Sequence, residues 1–502
     1  MNKRKIIDAA ALAAYSAFLL IVVLNHEYWF DEAQAWVLAR DNDLGGIIAM
    51  MKYEGHPPLW HFILKIIISL GCSYTALGLV SWGISTLAAA VVLFALPIKP
   101  YFKAAILLSS GMLYINSAIS RVYCLINLLL ALIAWIYPHR KRLPVLFGVL
   151  VALLANTHIS MCGLVGIIGI FMLIDYFKDF KGNSKKQNVL NTAGLAIAGI
   201  GVVVLIIPIW NSFGTNSFAA EREYTVRDVL AGFASALSEN ISCAVSGNLP
   251  TVVGVLLSVA AQALFFVSLF FLWKNKRAFI AEIVFAAVYF VINGAIWYTT
   301  ECRGAVFILA MAAIAIMFRK EQGSLKENKS PSALLDKVRS ILAEADRILP
   351  ALCSCFLTLS IPSGVKYAID DLRGEFAPHK AAAEFIRENI PEDALLVSRT
   401  DDRVVLTAYL PGREIYALEY NRFYTYCSHE VYDEPLDEEK LLRLCEEHSE
   451  VYYISNILHY SSKTEAVYEN SNSIPFVFSS EKVGIYRVTG EELVGMTAKN
   501  DW

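Results

Sequence analysis

The sequence predicts a polytopic α-helical membrane protein with about eleven full spans and a small α/β domain at its C-terminal end. Three observations carry that prediction. Hydrophobic residues make up 56% of the 502 and charged residues only 18%, where a water-soluble chain carries about 25% charge. Mean hydropathy is correspondingly high at +0.49. Apolar stretches recur from the N-terminus to about residue 365 with short polar breaks, as expected of helices that each need about 20 apolar residues to cross a bilayer. The remaining stretch holds many of the charges, so the division drawn is 1–366 for the membrane part and 367–502 for a soluble domain. A net charge of −3 offers no basic footprint for nucleic acid.

The first apolar run, 6–25, follows Lys3-Arg4-Lys5. Ala33-Gln34-Ala35 resembles a cleavage site, but the run is longer than the apolar part of a signal peptide and many spans follow it, so it reads as a signal anchor. The polar interruption 25–71 comes next. Asp31 and Gln34 read as an acidic capping box opening a short helix, 32–40. Asn42-Asp43 makes a turn, and Leu44, Ile47, Ile48 and Met51 recur at helical spacing, giving a second helix lying on the membrane surface. His56-Pro57-Pro58 then starts a 14-residue segment, 58–71, that contains His61 and Lys65. It is too short to cross and reads as a juxtamembrane helix. Trp29, Trp36 and Trp60 set the depth of this loop.

The full spans are then 6–25, 74–96, 103–118, 122–137, 143–156, 160–177, 189–210, 250–273, 278–297, 304–318 and 349–366. The basic clusters at 3–5, 99–103, 139–142, 178–186, 274–277 and 319–329 all face the cytoplasm in this arrangement, as Lys and Arg prefer. The expectation is a multi-pass protein of the plasma (inner) membrane, with its N-terminus cytoplasmic and its C-terminal domain extracytoplasmic. Residues 25–71, 116–121, 157–158, 210–250 and 298–303 fall on that same outer face.

The long outer segment 210–250 carries Glu221-Arg222-Glu223-Tyr224, one amphipathic helix at 226–237, and the glycosylation-type sequence Asn240-Ile241-Ser242. In the soluble domain, helices are expected at 379–389 and 437–448 and strands at 394–398, 450–455, 474–478 and 483–488. The tyrosine-rich run 416–432 either stacks on sugar or fills a core, and core is preferred. Nine cysteines show no C-x-x-C pair or zinc-like spacing, and a Cys427–Cys445 disulfide stays open.

The polar residues of the outer face admit two readings each. Asp31 is a helix cap, or a carboxylate held against apolar surface whose proton affinity suits a general base. Arg121 is an interface residue reaching toward headgroups, or a functional cation of the outer face. Arg303 pairs with Glu301 or serves with Arg121 as a cation there, and His158 is a span-end histidine or a further donor alongside His56. Asp31, Glu32, His56 and His158 are all potential metal ligands, but no spacing resembles a known site. No metal site is therefore assigned and no cofactor expected, with a divalent ion left open. There is no G-x-G-x-x-G after a strand and no G-x-x-x-x-G-K-[ST], so nothing supports nucleotide-sugar or ATP use.

Five short elements, in order, resemble the GT-C superfamily of membrane glycosyltransferases, in particular its protein mannosyltransferase-like and lipopolysaccharide-core sugar transferase-like members. They are "WFDEAQAW" at 29–36, "EGHPPLW" at 54–60, "SRVYCL" at 120–125, "NTHIS" at 156–160 and "YTTECRG" at 298–304. The resemblance covers roughly 6–366; many relatives have an aromatic beside the last arginine, where this chain has Gly304. It implies an inverting glycosyltransferase that moves a sugar from a polyprenyl-phosphate donor to an extracytoplasmic glycan, lipid or protein acceptor. Asp31 and Glu32 would be the catalytic carboxylates, with Asp31 the base, and Arg121, Arg303, His56 and His158 the binders of the donor phosphate. The alternatives are a non-enzymatic lipid-glycan transporter or scaffold, and a ligase or polymerase of lipid-linked glycans.

Overall fold

The computed structural model describes residues 3–54, 56–212, 225–247, 249–296, 300–320, 341–342, 344–398, 401–428, 438–455, 465–472 and 481–488. The chain divides into two compact units. The first comprises 1–24, 54–59 and 78–369; the second comprises 25–53, 60–77 and 370–502.

The first unit is helical. Its helices are α1 (Lys3–Asn25), α5 (Ala76–Ala90), α6 (Pro100–Leu108), α7 (Tyr123–Ile136), α8 (Pro144–Ala155), α9 (Cys162–Asp179), α10 (Lys185–Ser212), α11 (Val226–Ser246), α12 (Thr251–Leu272), α13 (Lys276–Val291), α14 (Glu301–Met317), α15 (Ala345–Thr358) and α16 (Ile361–Arg373), the two ends of the set running on into the second unit. Among the described residues, eight helical stretches are long and apolar enough to cross a membrane: Lys3–Asn25, Ala76–Ala95, Ile159–Asp179, Lys185–Ile207, Val226–Ser246, Thr251–Leu272, Lys276–Gly294 and Ala345–Arg373. The spans expected at 103–118, 122–137, 143–156 and 304–318 form shorter helices. One reason is local: α6 and α8 both start on a proline, and α6 gives way to a π-helical turn, Gly111–Ile115. A π-turn also follows α5 (Val91–Ala95) and α13 (Ile292–Ile296).

The helix expected at 226–237 is longer than the sequence suggested. A reciprocal capping box starts α11, with Asp228 N–H on Thr225 Oγ1 (3.2 Å) and Thr225 N–H on Asp228 Oδ2 (3.0 Å). It runs to Gly247, whose positive φ of 42° suits glycine. Asn240 is therefore buried inside a helix, its amide donating to Ala236 O (2.8 Å), and the Asn240-Ile241-Ser242 sequence presents no acceptor amide. Of the 221–224 charges, nothing lies within the described residues.

The second unit combines α2 (Phe30–Asp41), α3 (Leu44–Glu54) and α4 (Leu59–Ser69) with an α/β fold. The 11-residue α4 agrees with a segment too short to cross. Leu38 of α2 and Ile47 and Met51 of α3 form a small apolar cluster. The α/β part holds α17 (His379–Asn389), α18 (Asp401–Tyr409), α19 (Glu438–Glu447) and six strands: β1 (Leu395–Ser398), β2 (Ile415–Ala417), β3 (Arg422–Phe423), β4 (Val451–Ser455), β5 (Glu465–Ser471) and β6 (Lys482–Val488). The sheet order is β3-β2-β1-β4-β6-β5, with β1 parallel to β2 and β4 and the remaining pairs antiparallel. Every residue of β1 and β4 is buried, because helices cover both faces. Leu396, Ile454 and Ile485 pack with α17 and α18 on one face; Val397, Tyr453 and Tyr486 pack with α19 on the other. The strand expected at 474–478 lies outside the described residues.

Of the tyrosine-rich run, Tyr420, Tyr424 and Tyr426 are half-buried and tilt against one another in succession, with 4.6 Å between neighbouring ring centroids. They surround the fully buried Arg403, which pairs with Glu419 at 2.7 Å. Cys427 and Cys445 are free thiols.

Candidate active site

In the second unit, the backbone turns helical at Phe30, so Trp29 takes the N-cap position and Glu32 the third helical one. Glu32, rather than Asp31, closes the cap: its Oε2 accepts the Trp29 N–H at 3.2 Å. This corrects the assignment of the cap to Asp31. Asp31 sits one position earlier, half-buried. Glu32 is completely buried and also binds His26 Nε2 at 3.1 Å, while His26 Nδ1 binds Asp371 at 2.9 Å. Burial opposes a charge on this histidine, but the two flanking carboxylates, Asp371 and Glu32, outweigh it and hold His26 protonated, with its pKa pushed up to about 10. Glu32 is thus held as a structural ion-pair member at the root of α2.

In the first unit, four polar residues expected from the sequence come from four separate turns. His56 lies in the turn before α4, Arg121 in the turn before α7, His158 between α8 and α9, and Arg303 in the first turn of α14. The charges of the other three bear on His158. Burial is the largest influence holding its pKa well below the ordinary value, and Arg303, His56 and Arg121 each push the same way. The imidazole is therefore neutral. Its Nδ1 accepts the Ser160 N–H at 3.2 Å, which places its proton on Nε2 and makes that nitrogen a donor. The Tyr123 ring lies 5.6 Å from His158, and the Arg121 guanidinium lies 5.4 Å from the centre of the same ring.

Arg303 is buried and its backbone is fixed at both ends: its N–H donates to Thr300 Oγ1 (3.3 Å) and its carbonyl accepts from Tyr289 OH (2.5 Å). Asn293 donates to Tyr289 O (2.9 Å), and Ser160 Oγ donates to Asn293 Oδ1 (3.4 Å). A chain Ser160–Asn293–Tyr289 thus links the backbones that carry His158 and Arg303. Glu301, the alternative partner considered for Arg303, accepts from Tyr367 OH at 3.2 Å, and burial raises its pKa. Among the described residues, no three His, Cys, Asp or Glu side chains come together as metal ligands.

No family model matches the sequence, and no curated protein matches it. Solved structures do. ArnT from Cupriavidus metallidurans in the apo state superimposes with a TM-score of 0.53 at 11% identity, over 96% of this chain and 98% of that one. The same protein bound to undecaprenyl phosphate superimposes with a TM-score of 0.51 at 11% identity, over 95% and 97%. The chain has the fold of ArnT. The likeness spans nearly the whole length of both chains.

Two arginines and two histidines, with His158 and Arg303 buried and His56 and Arg121 half-buried, have the chemistry to hold an anion. Guanidinium forks and an imidazole N–H match phosphate oxygens, and removal from water strengthens each contact. The supporting residues Ser160, Tyr289 and Asn293 escaped the sequence reading. Their signal was present: an asparagine inside the apolar run 278–297 needs a partner when buried.

Proposed function

We propose that this chain is an inverting GT-C glycosyltransferase that moves one sugar from a polyprenyl-phosphate donor to an extracytoplasmic acceptor. The observation that carries this reading is the convergence of Arg121, Arg303 and His56 on a neutral, donor-ready His158. It is supported by the fold shared with a protein that binds undecaprenyl phosphate. In this proposal the membrane part is 1–366 and the extracytoplasmic α/β domain 367–502, in a plasma-membrane protein with a cytoplasmic N-terminus.

Asp31 takes the proton from an acceptor hydroxyl as its oxygen attacks the anomeric carbon from the face opposite the phosphate. The bond from that carbon to the phosphate oxygen breaks, and the lipid phosphate leaves with the bonding pair. Arg121, Arg303, His56 and the His158 N–H stabilise the charge gathering on it. Glu32 acts indirectly by fixing the start of α2. A positioned base contributes about 100- to 10,000-fold, so Asp31→Asn is expected to lower transfer by that order in membranes supplied with a labelled polyprenyl-phosphate sugar. Transfer equal to the parent would remove Asp31 from the mechanism.

A further inference from the structure

The α/β domain contains a cavity that the proposed transfer chemistry does not use. Its volume is about 740 Å³, within the range of about 300–1,000 Å³ typical of small-ligand sites. It opens where β1 and β2 begin and α18 ends, and its walls include Thr407, Arg413, Glu414 and Phe423, with Arg40 and Asp393. We propose that this cavity binds a neutral saccharide and is where the acceptor glycan is held; the second half of that statement rests on the transferase reading.

Charge decides the ligand class. Two guanidiniums, Arg40 and Arg413, face three carboxylates, Glu392, Asp393 and Glu414. Arg40 is paired to Asp41 by two bonds (2.6 and 2.8 Å) and donates to Thr407 O (3.2 Å), while Arg413 donates through Nη2 to the carbonyls of Pro391 and Ala394. Phosphates, nucleotides and acidic headgroups therefore meet one guanidinium already paired and a rim on which carboxylates outnumber arginines. A cation would find acceptors, but with two guanidiniums among them. What the wall offers is hydroxyl acceptors in Glu392, Asp393 and Glu414, all exposed, together with an aromatic face. Phe423 is 49% exposed although it is a large apolar side chain on edge strand β3. The axial C–H face of a pyranose ring covers such a phenyl ring while its equatorial hydroxyls reach carboxylates. A further observation points the same way. Thr407 is only 5% exposed, yet its Oγ1 has no hydrogen-bond partner among the described residues. A buried hydroxyl left unpaired is costly, and a sugar hydroxyl in the cavity would satisfy it.

The test is saturation-transfer NMR on the full-length protein in detergent micelles. The probes are maltotriose, mannotriose and galactotriose, with spermidine and pyrophosphate as charged controls. The parent is expected to transfer saturation to at least one trisaccharide and to neither control. Phe423→Ala is expected to weaken that affinity by about tenfold or more, and Asp393→Asn with Glu414→Gln to weaken it further, with thermal unfolding unchanged. No transfer to any trisaccharide at millimolar concentration, signal undiminished in Phe423→Ala, or preference for a charged control would overturn the proposal. Asp31→Asn separates the two readings. Saccharide binding kept and glycosyl transfer lost supports both. Transfer unaffected by Asp31→Asn removes the base but leaves this site, whereas absent saccharide binding with transfer lost removes this site alone.

Discussion

His158 shows how its surroundings hold an imidazole in one neutral tautomer. Three neighbours that would repel a proton, together with burial, keep the imidazole neutral, and the Ser160 N–H fixes which nitrogen carries the hydrogen. In the transfer proposed above, that donor is in place before substrate arrives, so no reorganisation is needed when charge develops on the leaving phosphate. Arg303 is expected to matter most in the transition state. Arg303→Ala should lower kcat by about 100- to 1,000-fold, and Arg303→Lys should restore only part of it, since an ammonium lacks the guanidinium fork. Single-turnover transfer at saturating donor measures this, and an unchanged rate in Arg303→Ala would take the phosphate role from it. At His26 the stake is stability. His26→Leu leaves Glu32 and Asp371 facing each other in a buried space, and breaking such a pair costs about 3–5 kcal/mol. A thermal midpoint equal to the parent's would show that the cluster is not ionic. Much of the cationic group was legible in the sequence, because an arginine or histidine at the end of an apolar run stands out against its surroundings. The carboxylate roles were not. Which acid caps α2 depends on where the backbone leaves the extended region at Trp29, and Asp371 lies 345 residues from His26.

At the scale of elements, backbone approach between helices replaces the hydrophobic driving force that is absent in lipid. The crossing of α8 with α10 uses it fully. A Cβ added to Gly148 would meet the backbone of Gly194, one added to Gly194 would meet the carbonyl of Pro144, and one at Gly201 would meet Ala152 at 2.5 Å. Gly194 and Gly201 lie seven residues apart, two turns along one face of α10. Gly199 on the same helix has nothing within 4 Å of its added Cβ. Gly194→Val is therefore expected to cost about 1–3 kcal/mol and Gly199→Val much less, as read by thermal unfolding in one detergent. Equal losses would show that the glycines matter for backbone entropy rather than for the crossing. Helix α11 illustrates what sequence reading misses at this scale. Ser238, Glu239 and Asn240 interrupt its apolar pattern, so the expected helix stopped at 237. Yet the helix, capped by Asp228, continues through them, with Asn240 buried and its amide bonded to Ala236 O. The short α7 and α14 were expected as spans from composition, and their turns are fixed by packing partners that no local window contains.

For the molecule as a whole, the second unit holds two buried histidines, each between two carboxylates. One is His26 with Glu32 and Asp371; the other is His379 of α17, bonded to Asp402 of α18 at 2.8 Å and facing Glu481 before β6 at 3.5 Å. The second cluster ties together α17, α18 and the segment before β6. Burial works against a charge on His379, and the bonds and charges of Asp402 and Glu481 overcome it, so its pKa rises to about 10. The folded state therefore holds a proton that the unfolded chain, with an ordinary histidine near 6.5, releases. The stabilisation is complete below about pH 6.5 and fades as pH rises toward and through 10. The difference in thermal midpoint between the parent and His379→Gln is thus expected to be largest near pH 6 and to shrink steadily on the alkaline side. A difference that grows with pH would mean that His379 is neutral in the fold and that Asp402 holds it by a neutral hydrogen bond.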